Sequence, residues 1–139
     1  NIPVYNKIAV ALDFSKNDLK RINHAIGQGN KATTYVLIHV VESAATRVIE
    51  KDADDLETRK DQERIDTYVQ QLREKNITAI GLLGFNERAK EIVRIVKESN
   101  ADMLVIGAHG HSGLKDLLYG QTIGSVRHEL KIPVLVVNL

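Results

Sequence analysis

The sequence predicts a three-layer α/β domain with a mainly parallel sheet, because short apolar runs alternate with segments of helical periodicity along the chain. Three of the runs are almost continuous in Val, Ile, Leu and Ala, which is typical of strands covered on both faces. The five predicted strands are Lys7 to Leu12, Tyr35 to Val41, Ile77 to Leu83, Asp102 to Ile106 and Pro133 to Val137.

Each segment between two runs carries one apolar stripe at the spacing of an α-helix. Ser15 and Asp18 resemble a capping box before the first helix, and Gly27 and Gly29 are placed to end it. The order βαβαβαβαβ with right-handed crossovers gives a doubly wound sheet, and 139 residues suit a single domain. The stripe residues are Leu19, Ile22 and Ile26, then Ile65, Tyr68, Val69 and Leu72, then Ala89, Ile92, Val93 and Val96, then Ile123, Val126 and Leu130.

The segment from Ser43 to Lys60 interrupts this pattern with a high density of charge and no sustained apolar face. We interpret it as a mobile connection followed by the solvated start of the second helix. A lid or a partner-docking segment is the alternative interpretation.

Composition excludes several classes of protein. The chain has 19 Lys and Arg against 18 Asp and Glu, so no broad basic field favours nucleic acid or an anionic membrane. With no cysteine it has no disulfide, thiolate metal site or cysteine nucleophile. No apolar stretch reaches the roughly 20 residues of a membrane-spanning helix, and no signal-peptide pattern opens the chain. We expect a cytoplasmic domain that does not itself enter a membrane.

A glycine-rich segment follows the fourth strand. Gly107, Gly110 and Gly120 are spaced as G-x2-G-x9-G. A strand that ends in a glycine loop before a helix directs backbone N–H groups and the helix dipole at one point, which favours a phosphate. We expect positive φ at Gly107 and Gly110, and Gly120 to leave space at the start of the next helix. The alternative is an ordinary turn with small packing residues.

Asp13 ends the first strand. A strand order of 3-2-1-4-5 would place it beside Gly107 in one crevice at the switch point of the sheet, where doubly wound domains bind ligands. An ionised carboxylate accepts hydrogen bonds, so Asp13 is a candidate partner for a ribose hydroxyl or a base amino group. The alternative role is a cap for the first helix.

Other chemistries find little support in the sequence. It contains neither the G-x-G-x-x-G fingerprint of dinucleotide-binding folds nor a P-loop. His109 and His111 form an H-x-H pair without a third ligand at a confirming spacing, so we assign no metal site. No Ser-His-Asp order or carboxylate pair indicates a hydrolase. We therefore expect no catalytic residue, with slow ATP hydrolysis as an alternative.

Several separated motifs together resemble the universal stress protein family, whose nucleotide-binding members carry G-x2-G-x9-G followed by Ser or Thr. The resemblance covers nearly the whole chain. It rests on the opening Lys7 to Ser15, the strand end His39 to Val41, the three spaced glycines, Gly113-Leu114, and the closing Val126 to His128 and Pro133 to Val137.

The resemblance implies a five-stranded flavodoxin-like sheet of order 3-2-1-4-5, as in adenine nucleotide alpha hydrolase-like folds. It also implies ATP, ADP or AMP as the ligand, with Mg²⁺ only alongside a bound nucleotide, and a homodimer formed through Pro133 to Val137. The residues that occupy the family's nucleotide-binding positions, or stand beside them, are Ala11, Asp13, Val40, Ile106, Gly107, His109, Gly110, Gly120, Gln121 and Thr122.

One position departs from the family pattern. Gln121 stands where the nucleotide-binding members have Ser or Thr, and Thr122 beside it is a candidate substitute. Losing one hydrogen bond to a charged oxygen costs about 1.5 to 3 kcal/mol, which weakens a site without abolishing it.

These observations predict a non-catalytic, adenine-nucleotide-binding regulatory module of a stress response. A dimerising interaction domain without useful nucleotide affinity is the alternative. Some relatives are fused behind membrane transporters, and a chain that begins with Asn1 fits a cytosolic tail taken from such a protein.

Overall fold

The computed structural model describes residues 5–41, 51–108 and 113–138, with only the backbone described for residues 51–55, 57 and 113–120. Its five strands form one parallel sheet in the order β3-β2-β1-β4-β5, which confirms the predicted fold class. The strands are β1 (Lys7–Leu12), β2 (Thr34–Val41), β3 (Thr78–Phe85), β4 (Met103–Gly107) and β5 (Val134–Val137). The helices are α1 (Asp18–Gln28), α2 (Lys51–Glu74), α3 (Arg88–Ser99) and α4 (Gly113–Glu129).

Two hydrophobic cores lie on opposite faces of the sheet. Ile22 of α1 and Ile65 of α2 pack with Val10 on one face. Ile92 of α3 and Val126 of α4 pack with Ile38 on the other. Both faces of the central strands are therefore covered, which is why their sequences are continuously apolar.

The switch point of the sheet lies between β1 and β4. The chain moves outward from β1 through β2 to β3, then returns to β4 beside β1. Right-handed crossovers consequently place α1 and α2 on one face and α3 and α4 on the other. The carboxyl ends of β1 and β4 diverge into helices on opposite faces, and this leaves a crevice between them.

The start of α1 differs from the predicted capping box. Asn17 is the N-cap residue and makes no capping hydrogen bond through its side chain. The Asp18 carboxylate instead accepts a hydrogen bond from the backbone N–H of Asp13, at 3.2 Å. Leu19, assigned to the buried stripe from sequence, is 57% exposed, whereas Asp18 and Arg21 are buried. The buried stripe of α1 is thus shifted by one residue and includes two charges.

The last helix begins earlier than the sequence predicts. The glycine spacing placed its start after Gly120, but α4 already begins at Gly113 and includes Gly120. Gly107 also differs from expectation, because it closes β4 and no described glycine has a positive φ. The predicted connection before α2 lies largely outside the described residues, since α2 begins at Lys51.

Candidate functional site

A crevice opens at the carboxyl ends of β1, β2 and β4, on the α3 side of the sheet. Its enclosed space is small, about 10 Å³, or room for about one water molecule, and most of the crevice is open to solvent. Three residues predicted from sequence, Ala11, Val40 and Ile106, contribute to its walls. The crevice is therefore a shallow surface of mostly apolar side chains, with one cationic side chain at its border. The remaining lining residues are Leu12, Ile38, Arg88 and Ile92.

Asp13 turns away from this crevice towards α1. Its Oδ1 lies 3.0 Å from Nη1 of Arg21 in an ion pair whose side chains are 6% and 1% exposed. Oδ2 of Asp13 accepts a longer hydrogen bond, 3.4 Å, from Nη2 of Arg21. Oδ1 also accepts the backbone N–H of Ser15 at 3.0 Å. Asp13 is therefore an anchor for the β1–α1 turn, and it does not contribute to the walls of the crevice.

Arg21 joins two carboxylates in one buried network. Its Nη1 lies 3.2 Å from Oδ1 of Asp18, which is one helical turn earlier and fully buried. The second oxygen of Asp18 accepts a hydrogen bond from the Tyr68 hydroxyl of α2, at 3.2 Å. A single guanidinium therefore serves Asp13 and Asp18 together, and the network ties α1 and α2 to the end of β1.

Gly107 provides the space for this guanidinium. A Cβ atom added at Gly107 would stand 2.6 Å from Cζ of Arg21, far inside van der Waals contact. The first glycine of the glycine-rich motif is therefore required by a packing contact within the protein. This contact also locates Arg21 between the carboxyl ends of β1 and β4, at the switch point itself.

The two carboxylates of the network differ in protonation. Burial would raise the pKa of Asp13, but the hydrogen bonds from Ser15 and the charge of Arg21 outweigh it, so its pKa falls below the usual range. Burial is also the largest influence on the pKa of Asp18. Together with the neighbouring charge of Asp13, it raises this pKa to about 6. Asp13 is therefore the ionised partner of Arg21, and Asp18 is the group that titrates near neutrality.

Phe14 lies next to Asp13 in an uncommon backbone conformation. Its φ is 61°, the left-handed region that bulky residues rarely adopt. Its ring stacks on the ring of His39 with centroids 3.8 Å apart. His39 Nδ1 lies 3.0 Å from the carbonyl oxygen of Leu12, so this nitrogen carries the hydrogen. Burial lowers the pKa of His39, which keeps its ring neutral in the stack.

The remaining predicted site residues fall into two groups. His109 and Gly110 lie outside the described residues. Gly120, Gln121 and Thr122 lie inside α4, where Gln121 is exposed and Thr122 is buried. Neither Gln121 nor Thr122 contributes to the walls of the crevice. The idea of a hydroxyl or amide at the very start of the helix is therefore wrong for these two residues, because the helix begins at Gly113.

Among the described residues, no group of three or more His, Asp or Glu is arranged to hold a metal ion. Within the same ranges, no helix combines the length and apolar character needed to cross a membrane.

Sequence reasoning missed Asp18 and Arg21 as components of this region. Their i, i+3 spacing is a visible signal, since such pairs face each other on a helix. What the sequence does not show is that this pair lies on the buried face of α1. That depends on Asp13 and Gly107 meeting the guanidinium from two different strands.

A parallel sheet of order 3-2-1-4-5 with helices on both faces defines the class of doubly wound α/β domains. The sequence profile of the Universal stress protein family matches residues 4–138. This chain belongs to that family.

Relatives of similar length share the sequence at modest identity. Universal stress protein YxiE of Bacillus subtilis is 26% identical, over 97% of this chain and 100% of that protein. Universal stress protein MJ0577 of Methanocaldococcus jannaschii is 22% identical, over 97% of this chain and 96% of that protein. The solved structure of MJ0577 superimposes with a TM-score of 0.85 and 24% identity, covering 99% and 98% of the two chains.

Two solved structures were determined with a ligand. A universal stress protein in complex with cAMP has a TM-score of 0.63 and 20% identity, covering 97% of this chain and 98% of that one. The universal stress protein of Archaeoglobus fulgidus in complex with dAMP also has a TM-score of 0.63 and 20% identity, covering 96% and 98%. At this identity both comparisons establish the shared fold.

Proposed function

We propose that this protein binds an adenine nucleotide at the switch point of its sheet and acts as a non-catalytic regulatory module. The observation that carries the proposal is the apolar crevice in which Ala11, Val40 and Ile106 come together from three strands. These residues are far apart in the sequence but were predicted from it as parts of one site. The solved structures of universal stress proteins in complex with cAMP and with dAMP support the choice of an adenine nucleotide.

The parts of the nucleotide have distinct proposed partners. The base packs against the apolar residues that line the crevice, where burial of its faces contributes binding free energy. The sugar lies at the carboxyl end of β1, next to the turn that Asp13 anchors. The phosphates extend beyond the carboxyl end of β4, where Gly107 opens the glycine-rich sequence motif.

Thermal denaturation with AMP and with ATP tests the proposal. At a concentration 100 times Kd, a ligand stabilises the native state by about 2.7 kcal/mol, which raises the Tm of a domain of this size by several degrees. Ala11→Leu fills part of the crevice wall and is expected to remove most of the ligand-induced shift. Ala32→Leu is the matched control, because Ala32 is exposed at the opposite end of the sheet.

The two variants also separate binding from general damage. Both should unfold cooperatively without ligand, and Ala32→Leu should keep the full shift. A shift retained in Ala11→Leu would place the nucleotide elsewhere, and no shift in the unmodified protein would refute the proposal. Because the proposed role is binding without turnover, the added ATP should be recovered unchanged. Protein-dependent release of phosphate would favour the slow-hydrolase alternative.

A second proposed property is assembly into a homodimer through β5. This strand lies at the edge of the sheet and pairs only with β4 among the described strands. Val134, Leu135 and Val136 are only half-buried. An uncharged apolar edge strand is suited to pairing with a second copy, which would cover these side chains and satisfy the free backbone groups.

Sedimentation velocity tests the dimer. The unmodified protein is expected to sediment as a dimer at micromolar concentration, and Val134→Lys to sediment as a monomer because the ammonium would be buried between the copies. Thr78→Lys, at the exposed start of the opposite edge strand β3, should leave the dimer intact. A monomeric unmodified protein, or dissociation caused equally by both variants, would contradict assembly through β5.

A further inference from the structure

Strand β3 leaves one row of backbone groups facing away from the sheet. It pairs only with β2 among the described strands, and just after it the backbone N–H of Asn86 donates to the carbonyl oxygen of Val41 at 3.0 Å. Backbone groups of successive residues point alternately to either side of a strand, so the odd-numbered residues from Ala79 to Phe85 point theirs outward. Such a row is a template for pairing with another chain.

The side chains of β3 add to this tendency. Among the described residues, five large hydrophobic side chains are exposed, and three of them belong to β3. Ile80 and Leu82 are 38% and 37% exposed, and Phe85 is 44% exposed. An apolar strand at the edge of a sheet is expected to associate with a second copy unless its backbone groups are covered.

Arg73 of α2 covers the start of this edge. Its Nε and Nη2 both donate to the carbonyl oxygen of Ala79, at 3.3 and 3.1 Å. A second strand that paired here would have to donate its own N–H to the same oxygen. The guanidinium already occupies the position of that strand, so pairing would require Arg73 to leave.

Glu91 of α3 covers the other end of the edge. Its Oε2 accepts the backbone N–H of Phe85 at 3.0 Å. Arg94 fixes the carboxylate, with Nε 2.8 Å from Oε1 and Nη2 3.0 Å from Oε2. Gly84 gives the side chain room, since a Cβ atom there would stand 3.0 Å from Cβ of Glu91. The carboxylate therefore takes the donor that a pairing strand would need.

We propose that Arg73 and Glu91 close the β3 edge against pairing with another strand, so that the chain does not associate with itself through its most exposed apolar strand. Gly81 and Leu83, which lie between the two covered groups, form too short a run for a stable pair, because strands usually need about five to six residues. The opposite edge strand, Val134–Val137, carries no charged side chain. The inference adds to the proposed homodimer, but its test does not depend on that dimer.

The double variant Arg73→Ala with Glu91→Ala tests the proposal, because it uncovers both ends of the edge. Alanine suits both helices, so the variant should fold, and circular dichroism checks this. Sedimentation velocity at a series of concentrations compares it with the unmodified protein. The mean mass of the double variant should rise about twofold or more at high concentration, since pairing through β3 joins two particles. An unchanged mass in the folded variant would overturn the proposal.

Two further variants show whether any association occurs through β3. Arg59→Ala with Glu63→Ala is the matched control, because it changes the same residue types on the exposed side of α2 and should keep the mass of the unmodified protein. Adding Leu82→Lys to the double variant places a charge on the edge and should restore that mass. An equal rise in the control, or association that Leu82→Lys does not reverse, would contradict the proposal.

These comparisons remain distinguishable from a failure of the proposed dimer through β5. If the unmodified protein is a dimer, uncovering β3 gives larger particles. If the unmodified protein is a monomer, the same variant gives a dimer. Either result supports closure of the β3 edge, whereas the state of the unmodified protein alone tests assembly through β5.

Hydrogen exchange gives a second measurement that association does not affect. At concentrations where the protein does not associate further, the amide of Phe85 should exchange several-fold faster in Glu91→Ala than in the unmodified protein. The amide of Leu82 points towards β2 and should exchange at the same rate in both. Equal exchange at Phe85 in the two proteins would show that Glu91 does not cover this edge.

Discussion

Replacing Arg21 with Met is expected to lower the free energy of unfolding by about 3 to 5 kcal/mol at neutral pH, the usual cost of removing one partner from a buried ion pair. Methionine has a similar length and fills much of the same volume, so the loss reports on charge more than on packing. The side chains of Asp13 and Asp18 are 6% and 0% exposed and would keep their burial without the cation. Urea denaturation at pH 7 measures the change.

Lys20→Met is the matched control for this variant, because Lys20 is exposed on the same helix and should cost little. The loss of unfolding free energy caused by Arg21→Met should also be smaller at pH 4.5, because the two carboxylates that have lost their cation can take up protons there. A loss below about 1 kcal/mol at pH 7, or a loss that does not depend on pH, would show that the network contributes little to stability.

The fold could be predicted from the sequence because the patterns that determine it are local and recur along the chain. Continuous apolar runs predict strands covered on both faces, and the segments between them have helical periodicity. The observed strands differ from the predicted ones by at most a residue or two at each end. Strand order was open from pattern alone and followed only from the family resemblance, since periodicity does not specify which strands are neighbours.

The candidate site could be predicted from the sequence only in part. Ala11, Val40 and Ile106 follow from the resemblance because they stand at strand ends, whose positions the fold determines. The network around Arg21 was missed because a charged residue on a helix is normally assigned to the solvent face. Its burial depends on two strand ends meeting at one place, which no local pattern reports.

Gly107 illustrates how one residue can have two explanations. As the first glycine of a phosphate-loop pattern it suggested positive φ, but its backbone is not in that region. The close approach of the guanidinium instead requires a residue without a side chain there. A glycine in a ligand-binding motif can therefore be required at its position by packing against a protein side chain.

Asp18→Asn is expected to abolish a fall in stability that the unmodified protein shows as pH rises from about 4 to about 6. The pKa of Asp18 is raised from 3.8 to about 6, first by burial and then by the charge of Asp13. A raised pKa means that the folded state holds the proton more tightly. The resulting stabilisation is fully present below pH 3.8 and is lost as pH passes through about 6.

The size of this change is about 3 kcal/mol, from the difference between the two pKa values at about 1.4 kcal/mol per unit. Asparagine can still accept the N–H of Asp13 and can donate to the Tyr68 hydroxyl, so the fold should tolerate it. Asp13 acts in the opposite direction, because its lowered pKa gives stability that is lost only as pH falls well below 3.8. The two contributions therefore separate along the pH axis.

Urea denaturation at intervals between pH 4 and pH 8 compares the variant with the unmodified protein. The difference in unfolding free energy should change by about 3 kcal/mol in favour of the Asp18→Asn variant across this range, and level off above pH 7. Asp66→Asn, an exposed change on α2, should show a nearly constant difference over the same range. If the unfolding free energies of Asp18→Asn and the unmodified protein differed by a constant amount across this pH range, Asp18 would stay ionised in the folded state. In that case Arg21 would neutralise both carboxylates rather than Asp13 alone.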